Sequence, residues 1–130
     1  MPPRHSVISG YVAGDKMDQR RTVPNIPVGR ALIKAWMTVK TSPLDLDAAA
    51  LVQKIITTTP AANIGHIEDD GATDQSGVVL FQFTPTDTGT TLGPDKTFFY
   101  DIQLKYDNSD IATLEYGEIS FVRGVTDAAS

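Results

Sequence analysis

The chain contains no cysteine. That absence removes disulfides, thiolate metal centres and cysteine nucleophiles together, so packing and backbone hydrogen bonds must hold the fold. No apolar run approaches the ~18 residues of a membrane span, and the opening Met1-Pro2-Pro3-Arg4-His5-Ser6 lacks the apolar stretch of a signal peptide. A soluble product made in the cytoplasm, with no membrane partner, is the expectation. An excess of positive charge is missing too. Lys and Arg number 11 against 16 Asp and Glu, a net charge of −5, and only Lys16, Arg20 and Arg21 gather in one early stretch. Such a surface repels phosphate backbones, which argues against a nucleic-acid partner. Internal repeats and low-complexity blocks are absent as well.

Catalytic patterns are equally scarce. His5 and His66 are the only histidines, and no serine sits in a Gly-x-Ser-x-Gly setting. Gly10, Gly14 and Gly29 are too dispersed to cradle a phosphate, and none opens a helix. No enzyme, catalytic residue or cofactor is therefore expected. The acidic group His66, Glu68, Asp69, Asp70 and Asp74 offers oxygens of the kind hard cations need. Its spacing misses the Asp-x-Asp-x-Asp-Gly pattern, and the favoured reading is a solvated turn with no metal. Asp45 and Asp47, two residues apart without a cleft, are read as turn caps rather than an acid/base pair.

What is present is material for one folded domain. A hydrophobic share of 41% with 21% charged residues is too apolar for disorder. At 130 residues the chain has room for a single core, one that hides roughly two-thirds of the unfolded surface. Residues 5–12 read as a short strand, followed by the turn Ala13-Gly14-Asp15-Lys16 and an irregular or edge-like segment to Gly29 that carries Pro24 and Pro27. From Ala31 to Lys40, Ala31, Ile33, Ala35, Met37 and Val39 alternate with Leu32, Lys34, Trp36, Thr38 and Lys40, the period of a half-buried strand. The segment from Ala48 to Ile56 fits either a short helix or one helical turn, capped by Asp47, leading into a strand that Pro60 ends. The β-branched run from Ile55 to Thr59 favours the second.

The second half is strand-rich. Ile64 to Glu68 reads as a brief strand and Val78 to Phe83 as a buried one, closed by Thr84-Pro85-Thr86-Asp87-Thr88 and a loop from Gly89 to Lys96. Phe98, Tyr100, Ile102, Leu104 and Tyr106 then share one face, with Asp101, Gln103 and Lys105 on the other. Asp107-Asn108-Ser109-Asp110 makes a hairpin to Ile111–Tyr116, and Gly117 is read as a turn into a last strand, Glu118–Val125, completing a meander. Thr126–Ser130 reads as a frayed tail. The expectation is an all-β chain, an antiparallel immunoglobulin-like β-sandwich with an extended N-terminal arm. Its organisation is 1–30 as N-terminal strand and arm and 31–126 as sandwich core, one domain over 1–130.

Gly14-Asp15, Ala35-Trp36-Met37-Thr38-Val39-Lys40, Asp45 and Asp47 ahead of Leu51-Val52-Gln53-Lys54, Gly77-Val78-Val79-Leu80-Phe81, Thr84-Pro85-Thr86-Asp87-Thr88, Tyr100-Asp101-Ile102-Gln103 and Thr113-Leu114-Glu115-Tyr116-Gly117 follow one another in an order that carries a resemblance. From about Gly14 to Thr126 the chain resembles small tailed-bacteriophage virion proteins, and in particular the immunoglobulin-like N-terminal domain of phage upper baseplate proteins. The resemblance implies a structural part of a virion, present in many copies or as a homo-oligomer, whose partners are the major capsid protein or other virion proteins. Because the chain stops at Ser130, a head decoration (cement) protein is expected ahead of a baseplate, tail or neck component. A host-surface or carbohydrate-binding module is the alternative from another class; it requires exposed aromatics grouped to stack on sugar rings. Candidate partner-interface residues are Trp36, which falls opposite the apolar face of its strand, and Arg20 and Arg21 in the arm. A sandwich-core position is the competing reading of Trp36, and solvated arm residues that of the arginines.

Overall fold

The structure, a computed structural model, describes residues 3–44 and 49–124. The strands are β1 (Arg4–Val12), β2 (Met17–Val23), β3 (Leu32–Lys40), β4 (Val52–Ile56), β5 (Gly65–Asp69), β6 (Gly77–Phe83), β7 (Thr97–Tyr106) and β8 (Ile111–Val122). They form a β-sandwich: a large sheet in the order β1-β8-β7-β3-β4 and a small sheet in the order β2-β6-β5. Every pairing is antiparallel except that of β1 with β8. Residues of alternate parity meet between the sheets, where Met37, Val39, Phe81, Phe83, Ile102 and Ile119 are fully buried. The expected faces of β7 hold: Phe98, Tyr100, Ile102 and Leu104 are buried and Asp101, Gln103 and Lys105 are not.

Several expectations need correction. The stretch to Gly29, read as an irregular or edge-like segment, contains β2, which pairs along its whole length with β6 and turns Met17, Gln19 and Val23 into the interior. It is an edge strand of the small sheet, the second of the two expected forms, while β1 lies at an edge of the large sheet. In β3 the alternation slips at its start, because a bulge between Leu32 and Lys34 buries Leu32 and leaves Ile33 42% exposed. The undecided segment is a strand from Val52 onward. The Asp47 cap and the tail 126–130 lie outside the described residues.

The largest correction concerns Gly117, which makes no turn. β8 runs unbroken through it for 12 residues, and the expected third strand of the meander does not exist as a separate element. Its place beside the hairpin is taken by β1, with Ser6 paired to Gly117. A Cβ at Gly117 would sit 1.7 Å from the Ser6 carbonyl oxygen. Only glycine admits so close a backbone approach.

The loop after β6 is also more ordered than its composition suggests. Residues Asp87–Leu92 form a π-helical turn that docks on the β1–β2 connection through Thr88. The buried Thr88 hydroxyl donates to the Asp15 carbonyl (2.7 Å) and accepts from the Gly14 amide (3.0 Å).

Candidate interaction surface

Cross-strand register builds the outer face of the large sheet. His5, Tyr116, Asp101, Thr38 and Gln53 stand in one row from β1 to β4. The adjacent row on one side is Val7, Glu118, Phe99 and Lys40; on the other side Gln103, Trp36 and Ile55 align. Two-residue periodicity puts all these side chains on the same face. Between the first two rows lies an open groove of about 350 Å³, its walls including His5, Phe99, Tyr116 and Pro43 and its lining including Thr38 and Gly117. His5 meets Tyr116 edge to face with ring centroids 5.2 Å apart, and its Nε2 is 3.5 Å from the Glu118 carboxylate. Thr38 is buried although it belongs to this outer face, and its hydroxyl accepts a hydrogen bond from Gln53 Nε2 at 3.0 Å.

Trp36 faces away from the space between the sheets. It is half-buried, flanked by the exposed Ile55, and Lys34 Nζ lies 5.5 Å from its ring centroid. The outer face thus offers rings and aliphatic carbon bordered by charged and hydrogen-bonding groups.

The arginines go elsewhere. Arg20 lies on the exposed side of β2 and forms a paired contact with Glu68, Nε to Oε1 at 2.6 Å and Nη2 to Oε2 at 3.0 Å. The hydrogen bond from Arg20 holds the Glu68 carboxyl below its ordinary range, and the same pairing raises Arg20. Arg21, of opposite parity, points between the sheets and grips Glu115 with Nε at 3.0 Å from Oε1 and Nη2 at 3.1 Å from Oε2. The structure therefore does not bring Trp36, Arg20 and Arg21 together. Both arginines engage acids of their own chain.

Glu115 is the centre of a polar cluster that the sequence reading missed. Its side chain is fully enclosed and collects Arg21 from β2, Arg4 from β1 and the Tyr100 hydroxyl from β7, the last at 2.5 Å. Burial pushes the Glu115 carboxyl up, but the hydrogen bonds from Arg21, Arg4 and Tyr100 outweigh it and leave the group ionised below the usual carboxylate range. Burial and the Glu115 carboxylate raise the Tyr100 phenol to about 12. This cluster ties both sheets and the N-terminal strand to one buried charge. A signal for it existed: Glu115 shares its parity along β8 with Gly117, Ile119 and Phe121, all buried.

Lys54 and Asp87 form a second partly enclosed pair at 2.7 Å, which fixes the π-helical turn to β4. Burial raises the Asp87 carboxyl, but the bonds from Lys54 and Thr84 leave it below its ordinary value. In the acidic loop, Asp69, Asp70 and Asp74 each accept the amide two residues ahead, at 2.9, 3.0 and 3.2 Å, so their carboxylates shape turns. Among the described residues no three His, Asp or Glu side chains converge as metal ligands. Asp45 and Asp47 lie outside the described residues.

No helix among the described residues is long and apolar enough to cross a membrane. No protein-family model matches the chain, and no curated protein is significantly similar to it.

Proposed function

We propose that this chain is a structural module of a bacteriophage virion, in first place a head decoration protein, which attaches to neighbouring shell subunits through the outer face of its large sheet. The observation that carries the docking part is the row structure of that face, where Val7, Tyr116 and Ile55 stand exposed beside the half-buried Trp36 and Phe99. A half-buried tryptophan among exposed aliphatic groups is a common anchor for a protein partner. The strand grouping supports the immunoglobulin-like reading. β3, β7 and β8 share one sheet and β2, β5 and β6 the other, as strands C, F, G and B, D, E do in immunoglobulin domains. The virion assignment itself rests on the resemblance of the ordered motifs between Gly14 and Thr126. Multiple copies on a symmetric shell turn modest single contacts into firm attachment.

The test is to purify virions and tailless heads and detect the chain by mass spectrometry. Decoration predicts the chain on heads without tails; its presence only on tailed particles assigns it to the baseplate, tail or neck, and its absence from both overturns the reading. A second reading, glycan binding, is favoured by the grouping of His5, Phe99 and Tyr116 around one groove. A glycan array probed with the wild-type chain and with Tyr116→Ala distinguishes it: binding that the substitution abolishes supports that reading, and no binding removes it.

A further inference from the structure

A β-sandwich has open sheet edges, and each must be blocked or used. Here the edges are β1 and β4 in the large sheet and β2 and β5 in the small one. β4 and β5 are only 5 residues long, β4 with Lys54 at its centre and β5 with Glu68, Asp69 and a bulge after Ile67. β2 carries Asp18, Arg20 and Arg21 in 7 residues, and self-pairing about its midpoint would set Arg20 against Arg20. β1 has no such device over its first half. It is 9 residues long, has no lysine or proline, and is uncharged from Ser6 onward. Arg4 is the one Lys or Arg on this edge; its side chain stays 65% exposed while its guanidinium pairs with Glu115, and antiparallel self-pairing about Ser6 sets it opposite Ile8 and not opposite its own copy. The irregularity in β1 comes only after Ile8, where Gly10 takes φ 85°, so Arg4–Ile8 is straight and in register with β8.

We propose that two copies of the chain pair antiparallel through Arg4–Ile8 about a two-fold axis near Ser6, joining their large sheets into one continuous sheet. The sequence of this segment meets itself without conflict. Arg4 falls opposite Ile8 of the second copy, His5 opposite Val7, and Ser6 opposite Ser6, with no like charges facing and no acid in the segment despite the chain's net charge of −5. Val7, 60% exposed in the single chain, then packs against the second copy's His5, in the row that His5 begins with Tyr116. Backbone groups on the free side of β1 gain partners at the same time. An extended strand from a different protein could use the same backbone groups, but the two-fold register favours a second copy. The inference goes beyond the virion reading and does not depend on it.

Light scattering and sedimentation equilibrium of the purified full-length chain across a concentration series test it. Twice the chain mass is expected, with Val7→Lys raising the dissociation constant at least tenfold while the far-ultraviolet circular dichroism stays unchanged. Because the wild-type chain has no cysteine, the register is tested independently with two single variants, His5→Cys and Val7→Cys. Under mild oxidation their mixture should form disulfide-linked dimers faster than either variant alone, since directly opposed residues have Cα atoms about 4.5–5.5 Å apart, within disulfide reach. If Val7→Lys does not fold, the mixed-cysteine experiment decides. A monomer at every concentration, or a dimer that ignores Val7→Lys and gives no preferential mixed disulfide, overturns the proposal.

Discussion

The two faces of the large sheet are made from the same strands and do different work. On the inner face, Ala35, Met37, Val39, Ile102 and Leu104 are sealed, and the one buried charge, Glu115, is met by Arg4, Arg21 and Tyr100. On the outer face, His5, Phe99, Tyr116 and Trp36 stand among Asp101, Glu118, Lys40 and Gln103, and most remain partly open to water. Burial makes the inner face intolerant of any change in volume or hydrogen bonding. Partial exposure leaves the outer face more tolerant, and under the proposed attachment its apolar content serves a partner contact more than the fold. The contrast teaches that stability and attachment should separate by mutation.

The largest effect should come from the buried charge. Arg21→Ala removes the bidentate partner of Glu115 in the interior while Arg4 and Tyr100 still hold it, and should cost about 2–3 kcal/mol, the upper part of the range for hydrogen bonds to a charged group; denaturant unfolding measures it. The pH dependence sharpens the point. Glu115 has a folded value depressed below its unfolded one, so its contribution is present above the unfolded range near about 4.3 and is lost as pH falls through the lower folded value. At the other end, Tyr100 is raised to about 12, so its contribution is complete below the ordinary tyrosine range near about 10 and fades as pH climbs toward 12. Thermal melts from pH 2 to 12 should therefore fall at both ends, with the acid limb reduced in Arg21→Ala.

Gly117→Ala comes next, at about 1–3 kcal/mol for forcing atoms into a packed contact, because its Cβ would meet the Ser6 backbone. Amide exchange should speed up in β1 before it does in β6. Gln19 offers the opposite sign. Its buried amide nitrogen has no partner among the described residues, so Gln19→Met should raise stability by about 1 kcal/mol, the penalty of an unmet donor, seen as an upward shift in Tm. Trp36→Ala should change stability by about 1 kcal/mol or less, as expected of a surface site, yet weaken attachment to particles in a co-sedimentation assay. A large fall in Tm with attachment intact would move Trp36 to the stabilising side of the comparison. Arg20→Ala, which breaks an exposed pair with Glu68, should have the smallest effect on unfolding.

The inner face was the legible part of the sequence, because a strand buried on one side writes its burial as strict alternation, as in β7 and most of β3. β2 was legible only as an irregular or edge-like segment, since its inward positions, Met17, Gln19, Arg21 and Val23, mix apolar and polar side chains and so hide the period. Gly117 looked like a turn because glycine commonly marks one; its actual reason is the crossing of Ser6, a residue far away in sequence, which no local pattern reveals. The π-helical turn was equally hidden, since Asp-Thr-Gly-Thr-Thr-Leu, with three threonines and a glycine, is poor in helix formers and is held by Thr88 and Lys54 contacts to distant segments. Of the candidate surface, the outward position of Trp36 could be read from parity. The groove could not, because His5, Phe99 and Tyr116 meet only when strands from both ends of the chain pair.

The most direct test of the account is a cryo-electron microscopy map of the particles that carry the chain, resolved well enough to orient the sandwich. The account predicts the outer face of the large sheet turned toward the shell, with Trp36, Ile55 and Tyr116 covered by a neighbouring subunit. A map in which that face looks into solvent while the small sheet makes the contact, or one with no sandwich on the particle, would contradict it.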